Sequence, residues 1–272
     1  MFKRLFSLSK PVQNILSIVF YGIFFVYMVM LILGEPDLAV KILYLVMLVG
    51  LGGVAAWYEW MKYLLYASIK QTILLCDEKK ALARLNRLEQ LDLRHTFEGS
   101  VCILRLMLHR DHGRFSELAS LASEKALTVM AKDPELKLVA RHSRFIAYGE
   151  LGDIEQCTEF YHSLYEVRTI RVDNKLRQIS PYYSWDEIDA AYHYYNGKYT
   201  AGLRSIKKVS EQNMNPRERM HYHHLFARLL YQNGSVKKAC GELELAIAST
   251  ARNTEMKALL ENLRDDWTGQ AD

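Results

Sequence analysis

Apolar residues follow two different patterns along the chain, and the change comes near residue 60. Ile15 to Leu33 is a run of 19 residues without a charge, and Leu38 to Trp57 is again apolar except for Lys41. From about Met61 onward, apolar residues recur with the ~3.6 period of an amphipathic helix. The patterns predict an all-α chain with an apolar N-terminal part at 1–60, a helical domain at 61–264 and a loose tail at 265–272.

Each apolar run is long enough to cross a bilayer, because a spanning helix needs ~20 apolar residues for ~30 Å of hydrocarbon. Glu35 and Asp37 lie between the runs and predict a turn outside the hydrocarbon, where charge is costly. We therefore predict a transmembrane hairpin with spans at about 15–33 and 38–57. A cleaved signal peptide is the alternative, but the first apolar run is too long for one and a second run follows at once.

Charges that flank the two runs predict the orientation of the hairpin. Lys3, Arg4 and Lys10 precede the first run, Lys62 and Lys70 follow the second, and the intervening turn is acidic. Positive charge stays inside, so both termini and the helical domain are expected in the cytoplasm. A short two-span anchor without a eukaryotic sorting signal indicates a bacterial plasma membrane, and an organelle membrane is the alternative.

Small residues in the second run form a surface that another helix can approach closely. Gly52 and Ala56 have the small-xxx-small spacing, and Gly53 lies beside them. The pattern fits packing of the hairpin on itself, and it also fits docking to another membrane protein or to a second copy of the chain.

Four glycines end helical runs in the second part of the chain: Gly113, Gly152, Gly197 and Gly234. An apolar residue follows two positions later in every case, and Cys157, Gly202 and Ala239 supply a small residue after the last three. Glycine accepts the left-handed conformation at a helix C-terminus, and the small residue permits close helix contact. Asn196-Gly197 is also a hairpin signal, but the periodicity on both sides is helical, so it is interpreted as a helix end.

Helix starts are marked by capping residues. Asp133-Pro134 and Asn215-Pro216 place a capping side chain before a proline at the first helical position, and Glu218 follows Asn215 by three residues. Ser184 to Glu187 and Asp153 to Gln156 have the spacing of capping boxes.

The glycine turns resemble those of tetratricopeptide (TPR) repeats in degenerate form. The best copy is NGSVKKACGELELA, with Gly234, Val236, Ala239 and Ala246 at positions that the family favours. The glycine spacings of 39, 45 and 37 residues exceed the 34-residue TPR period, which indicates longer helices or loops. The resemblance covers about residues 65–250 and implies an α–α solenoid, while an irregular α-helical domain is the alternative.

In TPR-like folds the first helix of each pair lines the concave surface where ligands dock. The resemblance therefore implies, by position, a partner-binding set of polar and aromatic residues. The set does not match the Lys/Asn clamp with which some TPR domains hold a terminal carboxylate. Its members are His142, Glu187, Tyr194, His221, His224, Arg228 and Tyr231.

Motifs for catalysis, cofactors and metals are missing from the sequence. It has no phosphate-binding glycine loop, no G-x-S-x-G and no H-E-x-x-H. His221 and His224 could share a helix face, but zinc requires three or four ligands. We expect no enzymatic activity, no cofactor and no metal, and the net charge of +4 is too weak to indicate nucleic-acid binding. The four cysteines form no CxxC pair and indicate reduced thiols, although two disulfides are formally possible.

Together these patterns predict a scaffold anchored in the lipid bilayer that binds another protein or peptide through a cytoplasmic TPR-like domain. The alternative is an accessory subunit of a transport or secretion complex that docks, or self-associates, through Gly52, Gly53 and Ala56. A membrane-bound metal-dependent enzyme built around His221 and His224 is the third hypothesis.

Overall fold

Helices make up most of a computed structural model of the chain. The structure describes residues 10–74, 77–93, 95–123, 134–166, 168–172, 175–178, 184–250 and 253–269. The chain divides into two compact units, which we name the N-terminal unit (residues 1–67 and 91–95) and the helical-hairpin unit (residues 68–90 and 96–272).

Two helices begin the chain, α1 at Lys10–Gly34 and α2 at Leu38–Leu74. Asp37 lies in the turn between them and caps α2, because its side chain accepts a hydrogen bond from the backbone N–H of Ala39 at 2.8 Å. By length and composition one helix can cross a membrane, the stretch Leu38–Ile73 of α2, whereas Tyr21–Gly34 in the searched part of α1 is apolar but shorter.

The boundary of the N-terminal unit differs from the predicted one at residue 60. Helix α2 continues without a break to Leu74, and the segment 91–95 belongs to the same unit as residues 1–67. Tyr58 donates a hydrogen bond to the carbonyl of Leu91, and buried Lys62 lies 3.7 Å from Asp92. These long-range contacts decide the boundary, and a local hydrophobic pattern cannot reveal them.

The helical-hairpin unit is a series of antiparallel helix pairs, in which α4 packs on α5, α6 on α7, α8 on α9 and α10 on α11. A single helix, α12, then packs on α11. The helices are α3 Glu78–Leu91, α4 Glu98–Asp111, α5 Phe115–Leu121, α6 Pro134–Leu151, α7 Ile154–Glu166, α8 Trp185–Tyr195, α9 Tyr199–Ile206, α10 Pro216–Gln232, α11 Val236–Ser249 and α12 Thr254–Gly269.

The glycine turns are confirmed. Gly113, Gly152, Gly197 and Gly234 all have positive φ, between 64° and 80°, and each lies between the two helices of one pair. Asn196-Gly197 is accordingly a helix end and not a β-hairpin. This conformation is costly for residues with a Cβ, so glycine at these positions defines the corner.

The small residues after the turns are buried where helices meet. Cys157 and Ala239 are fully buried. A Cβ added to Gly202 would lie 2.5 Å from the Leu229 side chain and 3.2 Å from the carbonyl oxygen of Ala190. The absent side chain therefore sets how closely α9 approaches α8 and α10.

One of the predicted helix caps forms a complete capping box, and two form only in part. Asn215 and Glu218 form the predicted capping box, and Asp153 accepts from the backbone N–H of Gln156 at 3.1 Å. Ser184 caps α8 through the backbone N–H of Asp186, but Glu187 does not complete the predicted box. Asp133 lies outside the described residues, although α6 begins at Pro134 as expected.

Two predictions about the helical domain are corrected. Strands β1 Thr169–Val172 and β2 Lys175–Gln178 form an antiparallel ribbon, pairing Thr169 with Gln178, although no strand was predicted. The predicted loose tail at 265–272 is helical as far as Gly269, because Trp267 is buried in a stack on Tyr231 with 4.1 Å between ring centroids. Residues 270–272 lie outside the part that the structure describes.

Cys102, Cys157 and Cys240 are free thiols, as expected, and Cys76 lies outside the described part of the chain. Burial raises the pKa of Cys102 to about 11 and that of Cys157 to about 12, so both stay protonated at neutral pH.

Candidate functional site

The first helices of the four pairs converge on a cavity of about 60 Å³, which we name the polar cavity. This volume suits several water molecules or one small polar group. Apolar side chains complete the wall, among them Phe115, Ile146 and Met256. The polar lining residues are Arg110 from α4, His142 and Glu150 from α6, Glu187 and Tyr195 from α8, and His221, His224 and Arg228 from α10.

The polar lining residues differ in burial, which distinguishes a floor from a rim. Arg110, His142, Glu187 and His221 are buried and form the floor. Glu150, Tyr195, His224 and Arg228 are only half-buried and form the rim. A group that entered the polar cavity would therefore pass the rim before it met the floor.

Glu150 organises the rim. Its carboxylate accepts from the Arg228 guanidinium at 2.5 Å and from the Tyr195 hydroxyl at 2.8 Å, and Arg228 also lies over the ring of Tyr194 at 4.3 Å. Burial and the neighbouring Glu150 raise the pKa of Tyr195 well above its ordinary value. Burial alone would lower the pKa of Arg228, but the Glu150 carboxylate raises it. The rim thus holds a fixed charge pair with an aromatic support.

A second charge pair lies behind the floor. Asp111 accepts from Arg217 at 2.5 Å and lies 2.7 Å from Nε2 of His221. Asn253 donates to the backbone carbonyl of Asp111, so this network joins α4, α10 and the residue that precedes α12. Burial alone would raise the pKa of Asp111, but Arg217 and His221 hold it well below its ordinary range. The network fixes the orientation of His221.

Glu187 is the exception among the buried acids. Its carboxylate lies 3.8 Å from Nη2 of Arg110, which is longer than a hydrogen bond. Burial raises the pKa of Glu187 to about 7, although Arg110 opposes the shift. At neutral pH this carboxyl group is therefore close to half ionised.

The three histidines of the polar cavity are neutral at neutral pH. Burial lowers the pKa of His142, with a further contribution from the charge of Arg110. Burial and Arg228 lower the pKa of His224, and burial lowers that of His221 to about 4 despite its contact with Asp111. Each imidazole thus offers one donor and one acceptor.

The polar cavity brings together most of the residues that the TPR resemblance implied. His142, Glu187, His221, His224 and Arg228 all line it, and Tyr194 lies against Arg228. Tyr231 is not among the lining residues and instead stacks on Trp267. Whether these residues bind a partner stays a prediction.

Sequence reasoning missed three polar lining residues, Arg110, Glu150 and Tyr195. Each stands two or three positions before a left-handed glycine, in the last turn of the first helix of its pair. That position relative to the glycine was the available signal. Asp111 has the same position before Gly113, but its partner Arg217 has no such signal, and 106 residues separate the two in the sequence.

The third hypothesis placed a metal at His221 and His224, but the described part of the chain has its one trio of metal-ligand side chains elsewhere. Glu78, His112 and Glu255 have ligand atoms within 4.8 Å of one another. Arg114 pairs with Glu78 at 3.0 Å, His112 contacts the same carboxylate at 2.9 Å, and Glu255 is exposed. These contacts form an ion-pair network, in which Arg114 supplies positive charge to Glu78 and Glu255.

No family model, curated protein or solved structure matches this chain. The likeness to TPR repeats therefore depends on the turn motifs alone, and the function is argued from the residues of the site.

Proposed function

We propose that the protein is a membrane-anchored interaction module, in which the helical-hairpin unit binds another protein in the cytoplasm through the rim and floor of the polar cavity. The observation that carries the proposal is the convergence of α4, α6, α8 and α10 on one cavity lined by charged, imidazole and aromatic groups. Interiors normally exclude such groups, so their collection at one place indicates recognition.

The rim has the composition that protein interfaces favour. Tyr195 and Arg228 are half-buried and held in place by Glu150, and half-buried Tyr194 lies beside the rim against Arg228. Tyr and Arg are enriched among residues that dominate binding energy, because a rigid side chain loses little entropy on binding. A partner segment would contact this rim and insert one side chain into the polar cavity.

The membrane part of the proposal is a hairpin of two spans with both termini inside. Helix α1 has 25 residues and α2 has 37. At a rise of 1.5 Å per residue the length of α2 is ~55 Å, which exceeds the ~30 Å thickness of the hydrocarbon layer. Trp57, Trp60 and Tyr63 are more than half exposed on α2. Such aromatic residues suit the headgroup region, where α2 would leave a bacterial plasma membrane.

The proposal is tested by affinity capture of the full chain from detergent-solubilised membranes, with mass spectrometry of the captured proteins. The test variant carries Tyr194→Leu and His224→Leu at the rim, which leaves the Arg228–Glu150 pair in place. The control variant carries Glu155→Gln and Glu244→Gln, both exposed on the second helices of their pairs. A partner captured by parent and control but lost with the test variant supports the proposal. A partner retained by all three excludes the polar cavity as its binding site.

A second candidate function is docking to a membrane complex through the helices of the N-terminal unit. A Cβ added to Gly52 or Gly53 would have no described atom within 4 Å, so among the described residues these two positions leave room for another helix. Gly52, Ala56 and Tyr58 also line a groove of about 740 Å³ in that unit. Gly52→Leu and Gly53→Leu should then release the complex, whereas Val54→Leu, at an exposed position, should not.

A further inference from the structure

Glu187 is a buried acceptor that lacks a donor. Its residue surface is 6% exposed, and in the described part of the chain Arg110, at 3.8 Å, is the only polar group paired with its carboxylate. Buried polar groups are normally hydrogen-bonded, so each exception requires an explanation such as a bound water, an ion or a functional role. The capping role that the sequence assigned to Glu187 is not used, so its side chain is available to the polar cavity.

When Glu187 is ionised, at a pH above 7, the charges of the polar lining residues balance without a ligand. Arg110 and Arg228 are matched by Glu150 and Glu187, and behind the floor Arg217 is matched by Asp111. The three histidines are neutral, because burial and the neighbouring arginines lower their pKa values. A charged ligand would add an uncompensated charge to a site that is shielded from water. The site therefore favours a neutral group.

The hydrogen-bonding groups of the floor indicate which neutral group the polar cavity can bind. An ionised Glu187 only accepts, and Arg110 only donates. They lie side by side, so the matching ligand carries one donor next to one acceptor within a cavity of about 60 Å³. A primary carboxamide has this arrangement on a single carbon. Ile146, Ile188 and Met256 can contact the aliphatic stem that carries it.

We propose that the polar cavity binds the carboxamide of an Asn or Gln side chain, whose oxygen accepts from Arg110 while its N–H donates to Glu187. This inference rests on the proposed function, because it names the partner group that the cavity receives. The rim residues would hold the segment that presents this side chain.

Binding of a carboxamide is linked to the protonation of Glu187. The groups that face Glu187 are Arg110 from α4, His142 and Glu150 from α6, and Arg217, Glu218 and His221 from α10. The two histidines stay neutral above pH 6.5, because their pKa values are lowered. Since the pKa of Glu187 is about 7, its ionised fraction falls about tenfold between pH 8 and pH 6, and the affinity for an amide should fall with it. A carboxylate ligand would show the opposite trend.

The test uses three probes of similar size on the full chain in detergent: acetamide, acetate and ethylammonium. Binding is followed through the ¹³C shifts of the His142 and His224 rings in ¹³C-histidine protein, assigned by single replacement. We expect saturable shifts with acetamide at pH 8, about tenfold weaker binding at pH 6, and no saturation with the charged probes over the same concentrations.

Variants of one residue separate binding from folding. Glu187→Met removes the acceptor and should abolish the acetamide response, while Glu187→Gln mimics the neutral carboxyl group and should bind acetamide only as weakly as the parent does at pH 6, without dependence on pH. Glu244→Gln, on the exposed side of α11, is the matched control and should behave as the parent. The melting temperature of each variant shows whether it is folded.

The inference is overturned if acetate binds more tightly than acetamide, if binding strengthens as the pH falls, if Glu187→Met retains the response, or if no probe saturates. Capture of a protein partner through the rim in the absence of acetamide binding would refute only this inference. Acetamide binding without any rim-dependent partner would instead refute the proposed function and leave a site for a small amide.

Discussion

In helix α2 the side chains of Leu51 and Val54 are 56% and 69% exposed, whereas Leu85 and Leu138 of the helical-hairpin unit are fully buried. Ionisable groups are buried in both units, Lys62 and Asp92 in the N-terminal unit and Asp111, Arg217 and Glu187 in the helical-hairpin unit. The exposed apolar side chains of α2 form a surface that is unstable in water and requires lipid or another protein to cover it. The N-terminal unit therefore depends on lipid or another protein to bury its apolar side chains, whereas the helical-hairpin unit buries its apolar side chains in its own core.

The largest expected effect is loss of the Asp111 charge. Asp111→Asn leaves the Arg217 guanidinium buried without its counter-ion, so the helical-hairpin unit should lose about 3–5 kcal/mol of unfolding free energy. Because folding lowers the pKa of Asp111, its ionised form stabilises the folded state at any pH above the ordinary pKa of an aspartate. This stabilisation is lost only in strong acid, as the pH falls through the lowered pKa. Urea denaturation followed by tryptophan fluorescence measures the change.

Asp265→Asn is the control for this experiment, since Asp265 is exposed and its substitution should leave the midpoint unchanged. A midpoint of Asp111→Asn equal to that of the parent would contradict a stabilising role of the Asp111–Arg217 pair in the helical-hairpin unit.

A smaller effect of opposite sign is expected at Glu187. Its pKa rises from 4.5 to about 7 on folding, so the folded state is stabilised below pH 4.5 and loses that advantage as the pH rises to 7. Glu187→Gln removes the cost of burying the ionised form and should stabilise the protein by about 3 kcal/mol at pH 8, but by little at pH 4.5. Thermal unfolding at the two pH values checks this, and equal shifts at both would contradict it.

Replacement of one glycine in each unit by alanine compares how closely the two units are packed. Gly202→Ala would place its Cβ 2.5 Å from Leu229, and overpacking of this kind costs about 1–3 kcal/mol. Gly53→Ala meets no described atom within 4 Å and is expected to leave stability unchanged. Melting temperatures in detergent distinguish the two variants. A destabilised Gly53→Ala would show that the hairpin packs more closely than its described contacts indicate.

The smallest effect concerns helix caps. Asn215→Ala removes the side-chain acceptor of the Glu218 backbone N–H in the capping box and should cost the helical-hairpin unit about 1 kcal/mol. Asp37→Ala removes the cap of α2 and should leave urea unfolding of the helical-hairpin unit unchanged. Equal effects of the two changes would mean that the two units unfold together.

Much of the helix arrangement could be predicted, because its signals are local. A left-handed glycine, as at Gly197, and a capping side chain, as at Asn215, act within a few residues. The candidate site was predictable in part, since His142, His221 and His224 occupy corresponding faces of first helices. Arg110 and Glu150 were missed, because their role depends on which helices meet.

The sequence by itself determined where helices turn, which residues cap them and which runs are apolar enough for a membrane. These features depend on backbone conformation and local composition. Only the tertiary structure decided that Glu187 faces a cavity and does not cap its helix, that Trp267 is buried on Tyr231, and that Asp111 pairs with Arg217. Such choices depend on partners distant in the chain, where burial and charge compensation outweigh local preference.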